Sequence, residues 1–326
     1  MKCKATSSVT LTGLRARCPM ILGLFVILGM LAGAMGCSQG GTPETPKTAE
    51  LLPPPTKVLY APPYVNNEVE PFKIMDNIYF IGLTNYAAYL ITTPEGHILL
   101  DTMIEDTVPQ QVAHIKKLGF KVEDIKILLQ AHAHVDHVGG LAKFKQMSGG
   151  EVVVMAEDAD VLADGGVTDF RGDGNQIWTP VTADRIIHDG DAVTFGGVTL
   201  TAHLSPGHSK GCTTWTTTAQ EGGQTHNVVF FCSQRVNDRV PMVNNPKYPN
   251  LPEAFQAGFD TLKTLPCDVF LASHSFMFDL EGKLAKKAQN PGTNPFIDPQ
   301  GCRDYVKDWE YEFQYKLQQA RLGQVP

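Results

Sequence analysis

Three histidines and a carboxylate fall within six residues in the arrangement His132-x-His134-x-Asp136-His137. Immediately before them runs Ile125-Lys126-Ile127-Leu128-Leu129, a short apolar run that reads as a buried strand. Residues two apart on an extended segment point the same way, so His132 and His134 can share one metal ion. Asp136 and His137 follow where the chain must turn, and Gly139-Gly140 precede a helix start at Leu141. Neutral imidazoles with a carboxylate suit zinc, and clustering them at a strand end leaves an open face for substrate. Two more histidines stand in the same kind of place. His208 lies in Ser205-Pro206-Gly207-His208-Ser209 and His274 in Leu271-Ala272-Ser273-His274, each directly after a predicted strand. Strand-end loops are where a rigid scaffold places ligands. His97, His114, His188, His203 and His226 read as structural or surface residues.

The elements that must position these residues are short strands and a few helices. Ile78–Ile81, Ala87–Thr92 and His97–Asp101 are β-rich, and Pro94-Glu95-Gly96 marks a hairpin turn. Val108–Leu118 has helical spacing, and helices are also expected near Leu141–Met147, over Leu251–Leu265 and over Arg303–Arg321. Glu151–Met155, Val193–Phe195, Val198–His203, Thr213–Thr216, Asn227–Phe231 and Asp268–Ala272 read as further strands. The stretch from Asp164 to Val181 carries little periodicity and reads as loop. Two β-rich halves with helices call for two sheets packed face to face, helices outside.

The chain has 326 residues and 43% hydrophobic content, enough for one sizeable core. Its first 36 residues stand apart: Lys2, Lys4, Arg15 and Arg17 precede an uncharged apolar run from Met20 to Gly36, a secretory pattern. The run ends Ala34-Met35-Gly36-Cys37, which resembles a bacterial lipoprotein cleavage site and makes Cys37 the candidate for lipidation, although Ala34 stands where leucine is usual. Residues 37–63 are rich in Pro and Thr and read as a tether, leaving 64–326 as the catalytic domain. Export, with a periplasmic location and a membrane contact only through Cys37, is the expectation. Residues 1–36 carry four basic and no acidic side chains, so their removal takes the formal charge from −7 to −11. That excess of acid argues against nucleic acid and against an anionic membrane surface. A monomer is expected.

The order H-x-H-x-D-H, then Ser205-Pro206-Gly207-His208, then a late His274 after a strand resembles the metallo-β-lactamase superfamily. Ile127–His137, Ser205–Gly211 and Leu265–Val269 are similar to its subclass B3 in particular. The resemblance implies an α/β fold, the four-layer αβ/βα sandwich, with two zinc ions at one edge. It implies His132, His134 and His208 as ligands of the first zinc, and Asp136, His137 and His274 as ligands of the second. The implied activity is hydrolysis of the β-lactam amide in penicillins, cephalosporins and carbapenems, hence antibiotic resistance. A metal-bound hydroxide would attack without a covalent enzyme intermediate, since zinc brings the pKa of bound water toward neutrality. Asp136 is the catalytic residue by this reading. The rival serine route lacks an S-x-x-K motif with its companions.

Lactonases and thioesterases of the same superfamily are the alternative. They resemble one another in a bridging Asp after a later strand, but here that strand is followed by Cys232-Ser233-Gln234, with no carboxylate until Asp238. Ser233, Arg235 and Asn237 alternate on that segment and would share a face if it is extended. Subclass B3 uses this stretch for substrate contacts, so all three are candidates, with Arg235 departing from the usual small polar residue as a clamp for the substrate carboxylate. Tyr79 is the candidate for the opposite wall, also by resemblance. Of the cysteines beyond residue 37, Cys267 and Cys302 have the spacing of the disulfide found in the resembling family. Cys212 and Cys232 sit on adjacent predicted strand ends and form the natural second pair. The competing reading makes Cys232 a zinc ligand.

Overall fold

A strand whose apolar residues face both ways needs cover on both faces, and three consecutive strands here, Gly96–Leu100, Ile125–Leu129 and Glu151–Met155, have that character. The computed structural model describes residues 51–57, 59 and 66–324. Expectations about residues 1–36, Cys37 and most of the tether lie outside the described residues. One sheet runs β1(Phe72–Met75), β2(Ile78–Phe80), β3(Tyr89–Thr93), β4(Gly96–Leu100), β5(Ile125–Leu129), β6(Glu151–Met155), β7(Arg185–Ile187), in sequence order. The first three pairings are antiparallel hairpins, and β4 to β7 are parallel. The second sheet has the order β12(Val269–Ala272), β11(Gln224–Phe231), β10(Thr213–Glu221), β9(Val198–Leu204), β8(Ala192–Phe195). All its pairings are antiparallel except β11 with β12.

Alternation along β4, β5 and β6 sorts the side chains between two cores. Ile98, Leu100, Ile127, Leu129, Val153 and Met155 join the core that contains Trp215 and Phe230 of the second sheet. Leu99, Leu128, Val152 and Val154 point the other way, toward α1(Val108–Lys117) and α3(Leu141–Ser148), where they meet Ile115 and Phe144. On the far side of the second sheet, α5(Leu251–Thr264) and α7(Pro299–Arg321) pack through Phe255, Phe259 and Phe313. The architecture is the αβ/βα sandwich. Each side chain such as Leu128 contributes roughly 1.5–3 kcal/mol through burial.

The other α-helices among the described residues are α2(Val135–Val138), α4(Ala159–Ala163) and α6(Leu280–Gln289). The terminal helix begins at Pro299, four residues before the predicted Arg303. Pro299 suits a first helical turn, and Asp298 caps it by accepting the Gly301 N–H at 2.9 Å. One expectation needs correction. Part of the segment assigned to a free tether lies along α7: Leu52 N–H donates to Gln318 Oε1 at 2.8 Å and Tyr311 O–H to the Pro53 carbonyl at 2.9 Å. Lys57 pairs with Asp308 at 2.7 Å. Leu52, Pro53 and Lys57 thus pack on the folded domain instead of standing apart from it. Among the described residues no helix is long and apolar enough to cross a membrane.

Candidate metal centre

Strand ends and the loops that follow them converge at one edge of the sandwich. The chain leaves β5 at Leu129, and His134, still extended, starts the single turn of α2, which carries Asp136 and His137. His208 follows β9 in a turn whose Gly207 has φ +130, and a Cβ there would meet the Phe255 ring at 2.5 Å. Only glycine fits that combination of backbone and space. His274 follows β12 after one intervening residue, Ser273. The six side chains form two groups, His132 with His134 and His208, and Asp136 with His137 and His274, each with ligand atoms within 4.8 Å of one another.

Both groups have the chemistry of a cation site. The Nε2 atoms of His132 and His137 are buried and lack a hydrogen-bond partner, a costly state unless a ligand takes them. His208 donates Nδ1–H to the Arg235 carbonyl at 2.7 Å, since a carbonyl can only accept, and this leaves its Nε2 lone pair for a metal. Burial holds His132, His134 and His208 well below the usual histidine range. His274 is brought down to about 4 by burial and by the charge of His137. These are neutral imidazoles, the form that binds zinc. Burial works against protonation of His137 as well, but Asp136 and Asp101 outweigh it and hold the ring at about 10. Burial raises Asp136, yet His137 and then His274 pull it well below the usual carboxylate range.

Two aspartates absent from the sequence reading of the site fix these ligands. Asp101 ends β4 in the left-handed region at φ +65, strain that a built site tolerates. Its Oδ2 takes the Nδ1–H of His137 at 2.9 Å, and its Oδ1 takes the Ala131 N–H at 2.7 Å. Asp158, after β6, accepts from Ala133 N–H at 2.8 Å, Ser209 Oγ–H at 2.9 Å and Gly211 N–H at 2.7 Å. It thereby ties the H-x-H segment to the loop that carries His208. An aspartate directly after an apolar strand was the available clue for Asp101; Asp158 stands three residues beyond β6 and offered none.

Cys212 is bonded to Cys232 and Cys267 to Cys302. Cys232 therefore carries no free thiol for a metal, although its sulfur lies 3.5 Å from His132 Nδ1. The candidate substrate residues separate. Arg235 and Asn237 line a cleft with His208 and Arg171. Ser233 is only 1% exposed, and its Oγ accepts the Arg235 N–H at 3.3 Å. The segment leaves strand conformation after Phe231, and Ser233 is buried where Arg235 and Asn237 are half-buried. Tyr79 is also misplaced as a wall of the site. Its ring packs edge-on against Phe120, centroids 5.1 Å apart, under the helix layer. The tyrosine beside the centre is Tyr86, 6.1 Å from His274 between ring centroids.

Comparison with known proteins agrees with this geometry. The metallo-β-lactamase superfamily model matches residues 81–217. The FEZ-1 metallo-β-lactamase from Legionella gormanii is 40% identical, with TM-score 0.77, over 79% of this chain and 99% of that one. BJP-1, a subclass B3 metallo-β-lactamase of Bradyrhizobium japonicum, is 36% identical, with TM-score 0.73, over 78% and 96%. Shorter matches reach human mitochondrial persulfide dioxygenase, 30% identical over 39% of this chain and 41% of that protein. An N-acyl homoserine lactonase of Azorhizobium caulinodans is 29% identical over 38% and 56%. The chain thus spans about half or less of these two curated relatives. It covers nearly all of the solved β-lactamases, and with their fold and two groups of metal-ligating side chains at one sheet edge, it belongs to the metallo-β-lactamase superfamily and resembles the subclass B3 members.

Proposed function

We propose that this protein hydrolyses the amide of β-lactam antibiotics with two zinc ions, one in each ligand group. The observation that carries the reading is the ligand set. Among the described residues, Asp136 is the single carboxylate in the two groups, and no carboxylate after β11 joins them. A superfamily lactonase or thioesterase would place a bridging aspartate there, where this chain has Ser233. The extended likeness to solved β-lactamases supports the same choice.

Bound zinc supplies Lewis acidity and a nucleophile at neutral pH. The protein's own residues do the rest. Asp101 and the Arg235 carbonyl fix which nitrogens of His137 and His208 carry protons. Asp136, with its side chain 27% exposed, is the one anionic side chain of the two groups and would hold the second zinc with His137 and His274. Arg235 holds the carboxylate beside the lactam ring by charge-assisted hydrogen bonds.

Purified protein should turn over a chromogenic cephalosporin and a carbapenem, lose both activities to a chelator and regain them with added zinc. Chelator-insensitive turnover contradicts the metal mechanism. Opening of acyl-homoserine lactones without lactam turnover moves the assignment to a lactonase. Export and acylation belong to the same proposal, and radiolabelled palmitate incorporated by the wild type but not by Cys37→Ser tests them.

A further inference from the structure

The loop after α4 is built to deliver one carboxylate. Asp164 follows the helix, and its side chain accepts the N–H groups of Gly166 and Thr168, each at 3.0 Å. Gly166 has φ +98, and a Cβ there would meet the Trp178 ring at 2.7 Å, so the turn requires glycine. The turn brings Asp169 inward, where it is only 4% exposed. Arg171 grips it on both oxygens: its N–H donates to Oδ1 at 2.9 Å, and Nε and Nη2 donate to Oδ2 at 3.3 and 3.2 Å. The same Oδ2 stands 3.6 Å from Nε2 of His134, the buried nitrogen that lacks a hydrogen-bond partner.

We infer that Asp169 is a positioning residue for the three-histidine site: it takes the Nε2–H of His134, leaves Nδ1 as that ring's donor to a metal, and is itself clamped by Arg171. The inference rests on the proposed reading only in treating His134 as a zinc ligand. Asp169 is outside the group formed by His132, His134 and His208, so it acts through His134 rather than as a fourth ligand. A metal-bound imidazole needs a partner on its other nitrogen to fix tautomer and ring angle, and a carboxylate is a common one. Asp101 serves His137 in this way at 2.9 Å. The gap at Asp169 exceeds a hydrogen bond by a few tenths of an ångström, which a small ring rotation closes. The guanidinium holds Asp169 in place, so the loop from Asp164 to Val181 becomes a structural part of the metal centre.

Two readouts other than activity test this. A long-range proton–nitrogen spectrum of the zinc-loaded wild type should show His134 protonated at Nε2; protonation at Nδ1 overturns the proposal. Zinc affinity is then measured by chelator competition in His274→Ala protein, where only the three-histidine group is complete. Adding Asp169→Asn should weaken binding roughly 10–100-fold, the range for losing an outer-shell partner, and Arg171→Gln should weaken it less. Asparagine keeps the size of aspartate, so unchanged affinity in Asp169→Asn would reduce the residue to packing and end the proposal. Should that variant not fold, Arg171→Gln and the wild-type spectrum decide. No zinc binding by the His274→Ala parent removes the ligand set itself, and this role with it, before any other substitution is read.

Discussion

The two halves of the metal centre differ in how they hold charge. His132, His134 and His208 are buried and neutral, with burial as the leading cause. The other half is an internal ion pair: Asp136 lies well below the carboxylate range and His137 is held at about 10 between two carboxylates. A cation entering the first half meets lone pairs. In the second half it takes the place of a proton already stabilised by Asp136 and Asp101. The difference shows how one fold edge prepares two sites with unlike chemistry: neutral donors anchor an ion, and a charged, partly exposed group faces the reaction.

Substitutions can break this contrast from either side. Asp136→Ala removes the carboxylate of the charged half and should lower kcat/KM by roughly 10²–10³-fold, the scale of losing one electrostatic stabiliser. Circular dichroism should show the fold retained, because Asp136 sits at the surface of the site. Near-normal turnover would contradict the division of roles. Asp298→Ala is a control remote from both halves. Lys283, with its side chain 3% exposed, pairs with Asp298 at 3.1 Å. Breaking a pair with one buried member, together with the α7 cap, should cost about 3 kcal/mol in urea unfolding while the zinc content is unchanged.

The pH dependence of that control has a definite sign. Burial opposes ionisation of Asp298, but the Gly301 N–H and Lys283 bring its pKa below the usual carboxylate value. The stability it contributes is fully present above the unfolded value near 3.8 and is lost as pH falls through the lower folded value. Wild type should thus show an acid limb in this window that Asp298→Ala has already given up. Asp101→Asn should weaken zinc at the second site by about 10–100-fold and spare the first. Equal losses at both sites would show that the halves are not independent. Arg235→Ala is the smallest of the set. For a half-buried guanidinium the loss is about 1 kcal/mol, a roughly fivefold rise in KM for lactams with kcat unchanged.

What was legible in the chain follows the range of the physical cause. His132 and His134 could be read because strand periodicity is local, and His208 and His274 because each comes shortly after a strand. The central parallel strands were legible as short, mostly apolar runs such as Ile125–Leu129, interrupted only by Lys126. Asp101, Asp158 and Asp169 were not, since their partners lie 25 to 53 residues away and only the folded loops bring them together. Ser233 was misread because alternation presumes a strand, and the strand ends at Phe231 with Ser233 buried beyond it. Tyr79 failed because β2 gives each successive residue to an opposite face, and its face is the one under α1 and Phe120. The start of α7 was hidden by Pro299 and Gly301, residues that suggest a turn unless Asp298 is recognised as a cap.

The central claim is that these six side chains are two metal sites, and counting ions tests it most directly. Metal-stripped protein titrated with zinc under native mass spectrometry should saturate at two ions per chain, while Asp136→Ala saturates at one under the same conditions. A wild-type chain that saturates at a single zinc would contradict the account.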